Sequence, residues 1–353
     1  MIELPNDKVI FHKLGSVGFI LLNRPAALNA LDQDMLDSIN KILEHCLSDP
    51  SILSIVIEGE GRAFCAGGDI VAAYREGKNS KPPTQFFRTG YLCSIYLNDF
   101  PKAYLSILDG IVMGGGVGIS IYGKYRIVTE NTLFAMPEAA IGFFTDIGAA
   151  YFTKDLPLAH RLYICLTGAR LNAADCINFG FATHYINSAS AQNLKEKLAT
   201  IASPNQIEDI LKELSIQPEV TPCLTSDDFK IIDDCFNANS VSGILENLFE
   251  YEQKGYQFAK NTRQTLLQMS PMSLLIIFYH IVNGKYKNLA ECMKTEFRIT
   301  YNMLSGHDFY EGVRAVLIDK DKSPKWQYNS IEGIDSKLVE SYFSPIKDEL
   351  CIK

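Results

Sequence analysis

The chain has 353 residues, enough for one large domain or for a domain with a substantial appendage, and its 47% hydrophobic and 21% charged composition excludes general disorder. The formal net charge is −8 and no Lys/Arg-rich run is present, so the sequence does not favour a nucleic-acid partner. The nine cysteines are scattered without zinc-type spacing, which indicates reduced thiols and no metal site, and the first residues resemble neither a signal nor a transit peptide, so we expect a cytoplasmic location.

The first part of the chain alternates predicted strands and helices. A hairpin is predicted from residues 9–11 and 18–22, and a helix follows with Asp32 as its N-cap. The next predicted elements are, in chain order, a strand at 52–57, a glycine-rich loop at 61–68, a helix from Asp69, a polar break at 78–83 and a helix at 86–97. Alternation of this kind is typical of an α/β core.

Residues 104–123 are twenty largely apolar residues with a single charge, Asp109, and have the length of a membrane helix. Their six glycines and Asp109 favour instead a buried strand, a tight turn and a packed helix. We therefore expect no membrane partner.

The predicted secondary structure changes after about residue 190. Before it, strands are predicted at 125–128, 132–134 and 183–186, and helices near 146 and at 173–179. Beyond it, segments such as 270–282 and 288–304 have helical periodicity and almost no strand signal. The sequence thus predicts a core at residues 1–190 and a mostly helical region at 191–353, without deciding whether the second is a separate domain or a cap.

Four segments carry the chemistry. They are Leu22-Asn23-Arg24-Pro25 with Asn29-Ala30-Leu31, then Ala63-Phe64-Cys65-Ala66-Gly67-Gly68-Asp69, then Met113-Gly114-Gly115-Gly116, then Met136-Pro137-Glu138. Two of them are glycine-rich turns between a strand and a helix, where backbone N–H groups can receive an oxyanion. The last presents a carboxylate after a proline. Any one of these segments alone suits an ordinary turn, but all four in this order favour a catalytic site.

These segments resemble the enoyl-CoA hydratase/isomerase (crotonase) superfamily, and the chain is most similar to its hydroxyisobutyryl-CoA hydrolase subgroup. The similarity covers most of the chain and includes residues 307–326, a stretch that this subgroup has and that ordinary hydratases of the family lack. The resemblance implies a crotonase-like core of strand-strand-helix units. It also implies hydrolysis of a short hydroxyacyl-CoA thioester, with 3-hydroxyisobutyryl-CoA in valine breakdown as the first expectation.

The resemblance also assigns residues to roles. Gly68 and Gly115 match the two backbone donors of the family's oxyanion hole, which would polarise the thioester carbonyl. Coenzyme A would lie along two loops, and the matching positions are Ala27, Leu28, Ala66, Asp69 and Ile70. Coenzyme A is part of the substrate, so no separate cofactor is implied. Relatives often form trimers or hexamers, so a homo-oligomer is an open expectation.

The acid–base residues depart from the hydratase pattern. Hydratases of this family carry a glutamate where this chain has Gly118, whereas their second glutamate matches Glu138. Asp146, eight residues further on, stands where the hydrolases have aspartate. Glu138 would activate water or attack the carbonyl to give a mixed anhydride, and Asp146 would position water or the acyl hydroxyl. The alternative role of Asp146 is an N-cap for a helix beginning at 147–148.

Other positions leave alternatives open. Close relatives have an acidic residue at the position of Gly90 and a proline at that of Thr145, so the preferred acyl group can differ here. Arg24 is a candidate for phosphate binding or for a surface ion pair, and Cys65 for core packing rather than a nucleophile. Two other functions compete with hydrolysis: an enoyl-CoA hydratase or isomerase, and a CoA-ester-binding protein without catalysis.

Overall fold

The computed structural model describes residues 2–79 and 82–352. Residues 80 and 81, within the predicted polar break, lie outside that range. The chain divides into two compact units that interleave along the sequence: Met1–Asp69, Thr89–Phe134 and Arg170–Cys223 form the first, and Ile70–Arg88, Ala135–Ala169 and Leu224–Lys353 form the second. The sequence-based boundary at residue 190 follows composition alone and stays a prediction.

The strands of the described residues are short and belong mainly to the first unit. They are β1 Val9–Leu14, β2 Val17–Leu22, β3 Ser54–Gly59, β4 Ala63–Cys65, β5 Ala103–Leu108, β6 Ile111–Met113, β7 Tyr125–Val128, β8 Leu133–Ala135 and β9 His184–Tyr185. Six of them form a sheet in the order β1-β2-β3-β5-β7-β9, in which only the predicted β1–β2 hairpin is antiparallel. A second sheet has the order β4-β6-β8.

The α-helices account for most of the remaining chain. They are α1 Gln33–Ser48, α2 Ile70–Asn79, α3 Thr84–Asn98, α4 Gly115–Gly118, α5 Ala149–Phe152, α6 Leu158–Thr167, α7 Ala173–Asn178, α8 Ala191–Ala199, α9 Gln206–Leu214, α10 Ser226–Phe236, α11 Val241–Gln253, α12 Gln257–Gln268, α13 Pro271–Asn283, α14 Leu289–Leu304, α15 Asp308–Val313 and α16 Ser336–Ser341. The predicted α/β class and the helical C-terminal region are confirmed.

The first unit is held by an apolar layer between its larger sheet and two helices. Val56, Leu105 and Ile127 project from the central parallel strands and are buried, as is typical of strands covered on their faces. Leu198 of α8 and Leu211 of α9 pack into the same cluster. The glycine-rich loops leave strands β4 and β6 of the smaller sheet.

Helices dominate the second unit. α6 packs against α10 and α13, and α11 packs against α12. The helices predicted at 270–282 and 288–304 have side-chain N-caps, because Ser270 accepts from the Ser273 N–H and Asn288 accepts from the Glu291 N–H. A single membrane-spanning helix is not found in the described part of the chain, although α12 and α13, bent by 109°, together have the required length and composition.

Two local expectations differ from the structure. The loop at 61–68 contains β4, a strand of three residues that is too short to produce a period-two pattern. The helix expected near residue 146 is reduced to the single turn α5, which begins at Ala149. Residues 104–123 form β5, β6 and α4, which confirms the predicted strand, turn and helix.

Candidate active site

Two glycine-rich loops leave neighbouring strands of the first unit. β4 and β6 pair in parallel, so their carboxyl ends lie at the same edge of the smaller sheet. The loop after β4 contains Gly67 and Gly68, and β6 leads into Gly114, the N-cap of α4. Gly67 has φ +114° and Gly114 has φ +48°, a region that only glycine adopts readily. The glycines are therefore required by the sharp turns as well as by close approach.

These loops bring together the two predicted oxyanion donors, Gly68 and Gly115. A Cβ on Gly115 would lie 3.2 Å from the Gly68 nitrogen. Neither N–H donates a hydrogen bond to another described residue, whereas the neighbouring Asp69 N–H donates to the Leu31 carbonyl at 2.7 Å. Both glycines are partly exposed. Two adjacent, unused and accessible N–H groups are what stabilisation of a thioester oxyanion requires.

The predicted coenzyme A residues of the first unit also meet. The Ala66 N–H donates to the Leu28 carbonyl at 3.0 Å, and Ala27, Leu28, Ala66 and Asp69 are all partly exposed. Ile70 is the first residue of α2 and falls in the second unit. Contact with coenzyme A stays a prediction for all five residues.

Asn29 is a structural determinant of this loop whose role the sequence did not reveal. Its buried side chain accepts from the Arg24 N–H at 2.8 Å and donates to the Glu60 and Ala63 carbonyls at 3.0 and 2.7 Å. Leu28 and Asn29 have φ +53° and +56°, which is uncommon for non-glycine residues. Because asparagine tolerates this conformation and its amide binds three backbone groups, Asn29 attaches the Leu28 loop to the strand edge.

Two other candidates of the first unit have structural roles. Arg24 Nη1 lies 2.8 Å from Asp69 Oδ2 and also donates to the Ala30 carbonyl, so the ion-pair alternative is the one observed. Cys65 is buried, and burial raises the pKa of its thiol to about 12. A protonated thiol is a poor nucleophile, so the structure favours core packing for Cys65.

The second unit holds the two predicted carboxylates, Glu138 and Asp146. Both are buried, with 7% and 5% of their surface exposed. Glu138 opens a 3-10 turn, Glu138–Ile141, after Pro137. Burial raises the pKa of Glu138 well above its ordinary value, and the negative charges of Asp146 and, more weakly, Glu296 raise it further. The structure thus brings the two carboxylates close enough to interact, and the pair tends to hold a proton near neutral pH.

One oxygen of Glu138 is unused within the protein. Oε2 is buried and has no hydrogen-bond partner among the described residues. Buried carboxylate oxygens are normally satisfied, so an orphaned one marks a place where a ligand or reacting water would complete the site. This observation favours a chemical role for Glu138 over that of a solvated loop acid.

Asp146 is not the N-cap of the following helix. That position belongs to Gly148, which has φ +75° and no side-chain capping bond, so the capping alternative is wrong. The preceding Thr145 is buried and donates from Oγ1 to the Cys165 carbonyl at 2.7 Å. Thr145 therefore anchors the loop by a hydrogen bond that proline could not make.

The stretch 307–326 packs against the turn that carries Glu138. Gly142, with φ +67°, approaches the Asp308 carbonyl so closely that a Cβ would lie 2.1 Å from its oxygen. A Cβ on Gly312 would lie 2.3 Å from the Ile141 carbonyl carbon. The rings of Phe309 and Phe143 meet edge to face at 5.7 Å. This C-terminal stretch packs against the turn that carries Glu138, and its Trp326 donates to the Gln268 carbonyl.

A family model described as enoyl-CoA hydratase/isomerase matches residues 17–343. The chain belongs to the enoyl-CoA hydratase/isomerase family. The chain is 40% identical over 349 residues to "3-hydroxyisobutyryl-CoA hydrolase, mitochondrial" of Danio rerio, covering 97% of this chain and 91% of that protein. The human protein of the same name is 38% identical over 347 residues, covering 96% and 89%. The resemblance stated from the sequence is confirmed.

Solved structures of this family share the fold. A carnitinyl-CoA dehydratase from Mycobacterium thermoresistibile has a TM-score of 0.91 and 31% identity, covering 98% of this chain and 99% of that chain. An enoyl-CoA hydratase from Rhodobacter sphaeroides has a TM-score of 0.87 and 31% identity, covering 98% and 100%. The predicted crotonase-like architecture is therefore confirmed over nearly the whole chain. The catalytic roles of individual residues stay predictions.

Proposed function

We propose that this protein hydrolyses 3-hydroxyisobutyryl-CoA to 3-hydroxyisobutyrate and free coenzyme A. The buried, unpartnered Glu138 oxygen beside a second carboxylate carries this proposal. The names of relatives at 38–40% identity over nearly the full chain support the same substrate. The activity is that of a thioester hydrolase.

The residues have separate chemical roles in this reaction. The Gly68 and Gly115 N–H groups stabilise the oxyanion that forms as a nucleophile adds to the thioester carbonyl carbon. Glu138 either takes a proton from the attacking water or itself attacks, forming an anhydride that water then opens. The C–S bond breaks, and the departing sulfur takes up a proton to leave as the thiol. Solvent ¹⁸O found in Glu138 after a single turnover identifies the anhydride route.

Hydration of an enoyl-CoA is the second candidate, since the two solved structures are titled as a dehydratase and a hydratase. The family resemblance places one of the two hydratase glutamates at Gly118, which has no carboxylate to offer. Hydrolysis needs an oxyanion hole and one activated nucleophile, and this chain retains residues for both. We therefore place hydrolysis ahead of hydration.

The experiment measures free thiol release from a panel of acyl-CoA esters that includes 3-hydroxyisobutyryl-CoA, and crotonyl-CoA hydration alongside it. Wild type should release thiol fastest from the hydroxyacyl ester, and Glu138→Gln should lower the rate by about 10²–10⁴-fold. Hydration without thiol release would replace hydrolysis by the second candidate. Tight binding of every ester without turnover would identify a binding protein.

Cofactor use and location follow from the same proposal. Carboxylates and backbone donors suffice for hydrolysis, so activity should survive dialysis against EDTA without any added cofactor. Several relatives are named mitochondrial, so the cytoplasmic location expected from the sequence stays a prediction that imaging of the tagged full chain would check.

A further inference from the structure

A buried polar cluster lies behind the Asp146 loop in the second unit. Glu296 on α14 is fully buried, and its Oε2 accepts the Gly148 backbone N–H at 2.7 Å. Its Oε1 lies 3.1 Å from His280 Nε2 and accepts from Cys292 Sγ at 3.4 Å. A buried carboxylate requires such donors. The Gly148 bond is the contact through which Glu296 reaches the loop that carries Asp146.

The far side of the cluster fixes which atoms donate. The Tyr286 hydroxyl lies 2.7 Å from His280 Nδ1. Burial raises the pKa of Tyr286 and of the Cys292 thiol, so both groups keep their protons. His280 thus lies between the Tyr286 hydroxyl at Nδ1 and Glu296 Oε1 at Nε2. The Gly148 N–H, His280 Nε2 and Cys292 Sγ therefore converge on one carboxylate.

The loop held by this carboxylate has an unusual backbone. Ile147 has φ +57° and Gly148 has φ +75°. A β-branched residue in the left-handed region is costly and persists only where its surroundings hold it there. The Gly148 N–H, one residue further on, is the group that Glu296 binds. The direction of the Asp146 side chain, immediately before Ile147, depends on this conformation.

We propose that Glu296 is a positioning residue, whose clamp on the Gly148 N–H fixes the Asp146 loop and so keeps the carboxylate pair arranged for hydrolysis. The inference rests on the proposed function and deepens it. Glu296 touches no reacting atom and acts through Asp146. Its negative charge also acts on Glu138, whose pKa it helps to raise.

The same side chains invite comparison with a metal site. The ligand atoms of His280, Cys292 and Glu296 lie within 4.8 Å of one another. A metal requires the thiolate form of cysteine, whereas the Cys292 thiol is held protonated by burial and by the Glu296 charge. One Glu296 oxygen is also already occupied by a backbone N–H. These features favour a hydrogen-bonded clamp.

A double-mutant cycle tests the clamp. Glu296→Gln keeps the side-chain size but replaces one acceptor by a donor that faces other donors, so kcat should fall about 10- to 100-fold while KM stays within about twofold. In the Asp146→Asn background the same change should have less than about a twofold effect, because the clamp acts through Asp146. Glu291→Gln, the same substitution at an exposed site on α14, is the matched control.

Additive effects of Glu296→Gln and Asp146→Asn would overturn the proposal, as would a change in KM alone. If Glu296→Gln fails to fold, Tyr286→Phe provides the milder variant, and an unchanged kcat there would equally overturn it. Stoichiometric zinc in the purified wild type, lost in Cys292→Ala, would replace the clamp by a metal site.

A crystal structure separates failure of this inference from failure of the proposed function. In Glu296→Gln, or in Tyr286→Phe if the first variant does not fold, the Asp146 carboxylate should shift relative to Glu138 even if no thioester proves to be a substrate. If Asp146 does not move in the variant while the wild-type protein is active, positioning by Glu296 is refuted and hydrolysis is not. If Asp146 moves in the variant but the wild-type protein hydrolyses no thioester, hydrolysis is refuted and positioning is not.

Discussion

The two units hold candidate groups of different chemical kinds. The glycine pair of the first unit offers backbone N–H groups, and Gly68 and Gly115 bring no side chain at all. The carboxylates of the second unit are buried side chains, whose pKa depends on burial and on neighbouring charge. A backbone site is made by chain geometry, so it is sensitive to added atoms. A carboxylate site is made by electrostatics, so it is sensitive to charge and to pH.

The contacts that hold these groups in place also differ between the two units. The glycine loops depart from paired strands. The Leu28 loop, whose carbonyl accepts the Ala66 N–H, is attached by Asn29 through bonds to backbone carbonyls. The Glu138 turn is packed by α15, and the Asp146 loop is held by Thr145 and Glu296. In both units these contacts hold the backbone of the loop or turn that carries the candidate groups. Substitutions that change only charge should therefore affect the carboxylates of the second unit, and substitutions that change only shape should affect the glycine pair of the first unit.

Asp146→Asn tests the carboxylate pair of the second unit and should have the largest effect on activity. The substitution keeps the shape and removes the charge, so kcat/KM should fall by about 10²–10⁴-fold. The Asp146 charge raises the pKa of Glu138, so its removal lowers that pKa, and the acid limb of the pH profile should move to lower pH. The measurement is kcat/KM against pH for both proteins.

The matched control is Asp155→Asn, an exposed aspartate in the same unit, which should leave the profile in place. If the acid limb stays at the same pH in Asp146→Asn, the Asp146 charge does not influence the titration of Glu138. The sensitivity to charge expected of the second unit would then be refuted.

Gly115→Ala tests the glycine pair of the first unit. The added methyl group would lie 3.2 Å from the Gly68 nitrogen and crowd the space between the two donors. We expect kcat to fall by about 10²–10³-fold, the effect of losing one oxyanion donor, with no shift of the acid limb. Gly333→Ala, where an added methyl meets nothing within 4 Å, controls for the substitution itself. A loss of activity that appears only below neutral pH would contradict the distinction between the regions.

Much of the fold was predictable because its signals are local. Asp32 stands directly before an apolar run of helical period, and it caps α1 as expected. β4 was missed because three residues carry no period. The interleaving of the two units depends on contacts distant in sequence, which a local pattern does not contain.

The site divides in the same way. Gly68, Gly115, Glu138 and Asp146 lie in motifs that a reader can recognise along the chain. Glu296 lies in none of these motifs, because its proposed role rests on a hydrogen bond to a residue 148 positions away. The N-cap alternative for Asp146 failed since the left-handed backbone at Ile147 delays the helix, and nothing in the residue types announces that conformation.

Cys65→Ala should have the smallest effect on activity. It tests the comparison directly, because Cys65 is a potential nucleophile in the first unit, close in sequence to Gly68. Burial raises the pKa of its thiol to about 12, so almost no thiolate exists at pH 8. We expect activity within about twofold of wild type, and native-state alkylation that modifies the exposed Cys351 but spares Cys65. Mass spectrometry of the alkylated protein locates the label. Rapid labelling of Cys65 with parallel loss of activity would mean that the first unit contributes a nucleophile, and its chemistry would no longer be that of the backbone alone.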